Sequence, residues 1–442
     1  MLQAGQRLLM KRSYKLRMRS TVARAIILAV ACAIGASCGR DSKEVSGPIR
    51  QIGYLWQRDW SPAVVEAVSQ AEGRTDGMVV LGAEIVWVGG KPEVIDASID
   101  WKRLGRLTKP VSVALRIAPY RGPIDANGDA AQAITSTTRR LLEKAHAHGV
   151  NLAAFQLDFD CAQKSLAGYR IWLGLVRSVV RPVPLIVTTL PAWLDEPEFT
   201  RLIGEVEGYV LQVHSVPTAQ SGRAMLCDTS LAKKWVAKAN RLGVPFSVAL
   251  PTYRCVAGYD ETGKLVSVAM DGVEPTWPRG TRVVEFATDA DQVAALVNEW
   301  KKERPALLRD LYWYRLPVAT DERNWHWSTL SAVMEGRAPL HKLEVRSQGE
   351  NPVDLTIANA GEADEQRDPT VKVTWNDGSV VTASDALPGW SVVVTKDAAI
   401  FKPEAGVQLR LSPGATRSIG WLRYDRAPSF QAQVDESAMP SR

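Results

Sequence analysis

"LAAFQLDFDC", residues 152–161, reads as an apolar strand that ends in two acids. Successive side chains of a strand point to opposite faces. Phe155, Leu157 and Phe159 therefore share one side, and Gln156, Asp158 and Asp160 share the other. An ionised carboxylate taken out of water without partners is very costly, so the acidic face must meet solvent, cations or a ligand. Whether it does depends on what the neighbouring segments build around it.

Working outward, seven further apolar runs resemble this one in length. They are "IGYLWQ" from Ile52, "MVVLGAEIVW" from Met78, "VSVALRIAPY" from Val111, "LIVTTLPAW" from Leu185, "YVLQVHS" from Tyr209, "FSVALPTY" from Phe246 and "LYWYRLP" from Leu311. Amphipathic stretches separate them, the alternation of repeated strand and helix units. Ser61 with Pro62 marks one helix start, Gly149 closes the helix through "STTRRLLEKAHAH", and Thr288 to Asp291 has capping-box spacing before "QVAALVNEWKKE". Eight such units over residues 50–340 predict a TIM (β/α)8 barrel, a fold that typically takes about 250 residues. The texture then changes to strict alternation in "VDLTIA", "VKVTW", "SVVVT" and "VQLRL", with hairpin signals at Asn376-Asp377-Gly378 and Ser412-Pro413-Gly414. That predicts a small antiparallel β-sandwich over 341–428 and a disordered tail over 429–442.

The N-terminus has a different character. Basic residues precede the apolar run "AIILAVACAIGAS", too short to span a bilayer, and Gly35, Ala36 and Ser37 lead into Cys38. Residues 1–37 read as a lipoprotein-type signal peptide, with Cys38 lipidated and 38–49 a linker; a start at Met18 gives a more compact leader. The leader holds seven Lys or Arg and no acid, so its removal takes the formal charge from +6 to −1. No basic footprint for nucleic acid remains, and the expected membrane contact is an N-terminal lipid anchor at the cell envelope. In an oxidising compartment Cys227 and Cys255, which follow neighbouring predicted strands, are expected to pair, with Cys161 buried. No metal-ligand pattern and no cofactor motif appears. "DANGD" at Asp125 to Asp129 lacks the glycine placement and closing glutamate of a calcium loop and reads as a turn before a helix.

In a barrel of this kind the functional mouth gathers at the C-terminal strand ends. That places Glu84, Arg116, Asp158, Asp160, Gln212 and His214 at the open end. Among 15 tryptophans, Trp56, Trp87, Trp193 and Trp313 lie at or beyond strand ends. Flat aromatic faces beside carboxylates and amides are a way to hold sugar rings. Each residue also has a plainer role open to it. Paired acids can tie down loops, Glu84 can serve only as the partner of Arg116, a lone histidine is commonly a satisfied hydrogen-bonder, and most tryptophans pack between barrel and helices.

"LDFDC" also resembles the fourth-strand signature Asp-x-x-Asp-x-Asp-x-Glu of the chitinase-type glycoside hydrolases. Asp158 and Asp160 match its middle pair, whereas Phe155 stands for the first aspartate and Ala162 for the glutamate that serves there as acid. "YLWQRDW", "VVLGAEIVW", "LDFDC", "LPAWL" and "YVLQVHS" together resemble the bacterial family of domain of unknown function 3142, which implies an exported barrel protein without fixing its chemistry. A glycosidase needs two carboxyls, about 5–5.5 Å apart for retention or about 6.5–9.5 Å for inversion. The expectation is a polysaccharide-acting protein with Asp160 as acid or nucleophile, Asp158 orienting it, Glu84 as second carboxylate, and Gln212 and His214 on hydroxyls. The alternative is a non-catalytic envelope lipoprotein that binds a glycan or protein partner with the same mouth.

Overall fold

The computed structural model describes residues 44–214, 225–270, 275–366, 368–407 and 409–435; the leader and Cys38 lie outside these. All eight predicted runs form strands, and they close into a parallel barrel. In chain order the strands are Arg50–Leu55, Gly77–Val88, Val111–Ile117, Leu152–Phe159, Leu185–Thr189, Gly208–Gln212, Phe246–Pro251 and Leu308–Tyr314. Closure runs through the first strand, where Gly53 lies opposite Trp313 of the eighth and Met78 of the second.

Two apolar layers hold the barrel. Outside, Phe155, Leu157 and Phe159 of the fourth strand join Tyr169, Trp172 and Leu173 of the helix Leu166–Val180 in one continuous core. Inside, Ile52, Tyr54, Val79, Ala114, Val210 and Ala249 fill the lumen. Both sets follow the two-residue strand period with two exceptions: Leu308 and Leu311 of the eighth strand both join the outer core across a register shift, and the second strand changes phase. There the register shifts between Leu81 and Ala83, a bulge at Gly82. Beyond it Ala83 and Ile85 join the outer core and Glu84 faces Arg116 across the ladder. The same strand continues to Val88 and folds back through Gly89 and Gly90, both at positive φ, into Lys91–Asp96.

Helix ends differ in detail from the sequence reading. Gly149, at φ +71°, follows the helix Asp129–Ala147, and Asp125 accepts the N–H groups of Asn127 and Gly128, forming the expected turn ahead of it. Ser61 makes no side-chain cap bond at Pro62–Arg74. The helix Ala290–Lys302 is capped by Asp289, which accepts from Gln292 N–H, while the Thr288 hydroxyl donates to the Tyr253 carbonyl. Side-chain geometry thus favours the carboxylate one residue later.

One element was not foreseen. Between the seventh strand and the helix Ala290–Lys302 the chain makes a three-stranded antiparallel sheet of Arg254–Tyr259, Leu265–Ala269 and Arg282–Ala287. It decides the fate of the expected Cys227–Cys255 pair. Cys227 packs into the barrel core and Cys255 into the separate core of this small sheet, so both are free, buried thiols, as is Cys161.

The C-terminal region is two four-stranded antiparallel sheets. One runs Leu343–Gln348, Val353–Asn359, Thr416–Tyr424, Val381–Ala386 in spatial order, the other Trp390–Val394, Ala398–Pro403, Thr370–Trp375, Phe430–Asp435. Leu355, Ile357, Val371, Val373, Phe401, Ile419 and Leu422 lie in their shared core. Three expectations change here. Phe430–Asp435, assigned to the tail, is a paired strand, with Val434 opposite Val371. The turn at Asn376-Asp377-Gly378 joins strands of different sheets and so makes no hairpin. "VQLRL" contributes buried Leu409 and Leu411, and Leu411 makes only an isolated bridge to Glu365.

Candidate active site

The mouth is built by register. Glu84 lies opposite Arg116, and Arg116 opposite Asp158, so strands two, three and four present an acid, a base and an acid in one row. Glu84 is 3% exposed and serves two arginines. Arg116 Nη1 donates to Oε1 at 2.9 Å, and Arg58, from the loop after the first strand, donates to Oε2. Glu84 is therefore locked in an ion triad and is not a free carboxylate facing the aspartates across the mouth. Arg58 stands in the quoted "YLWQRDW", but nothing in its loop spacing ties it to Glu84.

Asp158 and Asp160 sit side by side at the end of the fourth strand. Asp158 accepts from the Thr188 hydroxyl at 2.5 Å, and its Oδ2 is 4.0 Å from Arg116 Nε. Burial, with the neighbouring Asp160 charge, pushes its carboxyl up to about 7 against the pull of Thr188 and Arg116. Asp160 keeps solvent access at the rim and accepts from Gln212 Nε2 at 3.2 Å. The surrounding mouth raises its carboxyl too, against the effect of Arg116 and Gln212. Burial thus favours the protonated form of both adjacent acids.

Below and beside them is a ring of aromatics. Tyr54, Trp56 and Tyr314 are mutually edge-on at 5.4–5.8 Å, and Gln156 donates to the Tyr54 hydroxyl. Burial keeps both phenols protonated well above their usual range. His214 packs against Tyr314 and Tyr253, burial lowers its imidazole to about 4, and its Nε2 has no hydrogen-bond partner among the described residues. It is a neutral ring at the mouth. Tyr253 also lines a cavity of about 810 Å³, whose other walls come from the loop at Asn324 and Trp325, the start of the helix Ala290–Lys302, and Asp364 and Glu365 of the C-terminal region.

The tryptophans divide. Trp56 is half-buried in the aromatic ring of the mouth. Trp87 is half-buried beyond it, its Nε1 donating to the Ala118 carbonyl and its ring 4.2 Å from Tyr120. Trp193 and Trp313 are fully buried in the outer core. Trp193 donates to the Cys161 carbonyl and Trp313 to Gln51 Oε1, so neither can offer a face to a sugar. Thr188, Tyr54 and Tyr314 complete the site and escaped the sequence reading, because an inward threonine or tyrosine has the same period as any lumen residue.

No curated protein sequence matches the chain. Several solved structures are similar to it at low identity. A chitinase from Chromobacterium violaceum ATCC 12472 is 12% identical, with 65% of this chain and 98% of that chain covered and a TM-score of 0.43. The Bacillus megaterium QM B1551 spore cortex-lytic enzyme SleL is 11% identical, with 66% and 75% covered and a TM-score of 0.45. The xylanase and alpha-amylase inhibitor protein XAIP-II from Scadoxus multiflorus is 12% identical, with 66% and 100% covered and a TM-score of 0.41. Residues 109–319, from the threshold of the third barrel strand to just past the eighth, match the family described as domain of unknown function (DUF3142).

Proposed function

We propose that the chain is an exported, glycoside hydrolase-like protein that acts on a polysaccharide at the barrel mouth. The observation that carries this reading is the aspartate pair, two carboxyls on one strand face, in the open mouth, with Asp158 raised to about 7. At neutral pH such a pair offers both a proton and a carboxylate. Asp160, at the rim, gives its proton to the glycosidic oxygen as the bond from that oxygen to the anomeric carbon breaks. The single proton of the pair, held on Asp158 at rest, moves to Asp160 for this step, which leaves Asp158 ionised to stabilise the positive charge developing at that carbon. Water then adds hydroxide to the carbon and returns a proton to the pair. Gln212, His214 and Trp56 bind hydroxyls and ring faces. The basic and apolar leader ending at Cys38 supports export and lipid anchoring at the envelope.

A second reading is favoured by Ala162 and Glu84. Ala162 stands where the chitinase-type signature has its acid, and Glu84 is committed to two arginines. On that reading the same mouth binds a glycan without cutting it. Protein lacking residues 1–37 is incubated with bacterial and host polysaccharides, and released reducing ends are measured beside Asp160→Asn. Release by the wild type and not by an equally stable variant supports hydrolysis. No release from any polysaccharide, with binding retained, moves the protein to the second reading.

A further inference from the structure

The ion triad at the mouth leaves guanidinium donors over. Arg58 and Arg116 both spend their hydrogen bonds on Glu84, and neither makes another among the described residues. A guanidinium carries five N–H donors in a fixed fork. Most of those donors are therefore unused, while the side chains are 51% and 39% exposed at the open end of the barrel. One buried carboxylate holds both guanidinia in place; Arg116 also lies 4.0 Å from Asp158, whereas Arg58 makes no second ion pair among the described residues and is the cation left facing the mouth. Around the barrel the order is Arg58, Glu84, Arg116, Asp158, which sets Arg58 on the side of Glu84 away from the aspartate pair.

We infer that the glycan bound by this mouth carries an acidic sugar, whose carboxylate seats on Arg58 and the adjoining edge of Arg116. The inference rests on the reading of the mouth as a glycan site. A planar guanidinium meets a carboxylate through two parallel hydrogen bonds, which a neutral hydroxymethyl group cannot reproduce. The position of Arg58, three strands from Asp158 around the barrel, places the acidic residue beside the sugar whose bond meets the aspartates. It also keeps the ligand's charge away from Asp160.

The test is affinity of the full chain for polygalacturonate, alginate and hyaluronan, each paired with its carboxyl-reduced form, which has the same backbone without the charge. At least one acidic polymer is expected to bind ten-fold or more tightly than its reduced partner, with the difference shrinking as salt rises. Arg58→Gln removes that preference, and Arg58→Lys, which keeps the charge and loses the fork, retains part of it; melting temperatures confirm that both are folded. The inference is overturned if no acidic polymer outbinds its reduced form, or if Arg58→Gln leaves the preference intact. Cleavage of neutral polymers without acidic preference would sink this inference and spare the hydrolase reading. Acid-selective binding without release of reducing ends would do the reverse.

Discussion

Asp158 is the residue at which function and stability oppose each other. Its carboxyl ordinarily titrates near 4 and here near 7, so between those values the folded chain holds a proton that the unfolded chain has released. Stability from this group is fully present below about pH 4, falls as pH rises through about 7, and is flat beyond. Asp158→Asn, which can still accept from Thr188, is therefore expected to melt higher than the wild type at pH 8, by the equivalent of about 2–4 kcal/mol. The gap should close by pH 4, and a gap that is the same at both pH values would show that Asp158 is not held protonated. At Glu84 two arginines converge on one buried carboxylate, so its loss leaves both without their partner. Glu84→Gln should destabilise by about 1–3 kcal/mol in denaturant unfolding, and Arg58→Gln by less, since its guanidinium is half in solvent. At this scale the sequence was legible wherever two-residue alternation placed a charged or amide side chain inward, as at Asp158, Asp160, Gln212 and Arg116. It was silent on pairing. Nothing in the spacing of residues 58 and 84 says that they meet, and nothing distinguishes Trp313, buried against the helices, from Trp56 at the mouth.

At the level of elements the second strand is the informative one. Simple alternation from inward Val79 would send Leu81, Ala83 and Ile85 into the lumen and Glu84 out to the helices. The bulge at Gly82 reverses the phase, and only then does Glu84 reach the two arginines. A Cβ at residue 82 would lie 2.6 Å from Val113 Cγ1 and 2.9 Å from a Leu141 methyl, closer than packed atoms tolerate. Gly82→Ala should therefore destabilise by about 1–3 kcal/mol and disturb the mouth through the register of Glu84. Glycan affinity lost beyond what Gly82→Ala costs in stability would show that the bulge sets the site; an unchanged melting temperature would show that the strand absorbs the methyl. The eight strands were readable because buried parallel strands are short apolar runs bounded by turn residues. The bulge was not, since a glycine inside such a run looks like any other small residue. The inserted sheet was missed for a related reason: "CVAGYDETGKLVSVAM" follows directly on the seventh strand, and its exposed Leu265, Val266 and Val268 give no one-sided alternation to read.

In the whole molecule, barrel and sandwich are joined by polar contacts that centre on one short loop. The Glu362 carboxylate accepts from Arg337 at 2.6 and 3.0 Å and from Leu340 N–H at 2.9 Å, while its backbone carbonyl accepts from Thr329. Three residues on, Glu365 is fully buried and 3.1 Å from His341, whose other nitrogen is 3.6 Å from Asp291 on the barrel helix Ala290–Lys302. Arg410 reaches Glu285 of the inserted sheet at 3.0 Å. These contacts fix the wall that Asp364 and Glu365 give to the cavity beside Tyr253, so the C-terminal region shapes the surroundings of the mouth and is not a tethered appendage. Coupling of this kind has a calorimetric signature, because two bodies joined by a network of polar contacts unfold together and two that merely touch do not. The wild type is expected to melt in a single transition. Glu362→Ala removes three hydrogen bonds to an ionised acceptor, which arginine holds below the usual carboxylate range, and should lower stability by about 1–2 kcal/mol while splitting the transition in two. Because that carboxyl is depressed in the folded chain, its contribution is present above its unfolded value and lost as pH falls through the folded one. The split should therefore also emerge in the wild type on acidification. Two separate transitions in the wild type at neutral pH would mean that the junction does not couple the domains, and that the cavity wall is free to part from the barrel.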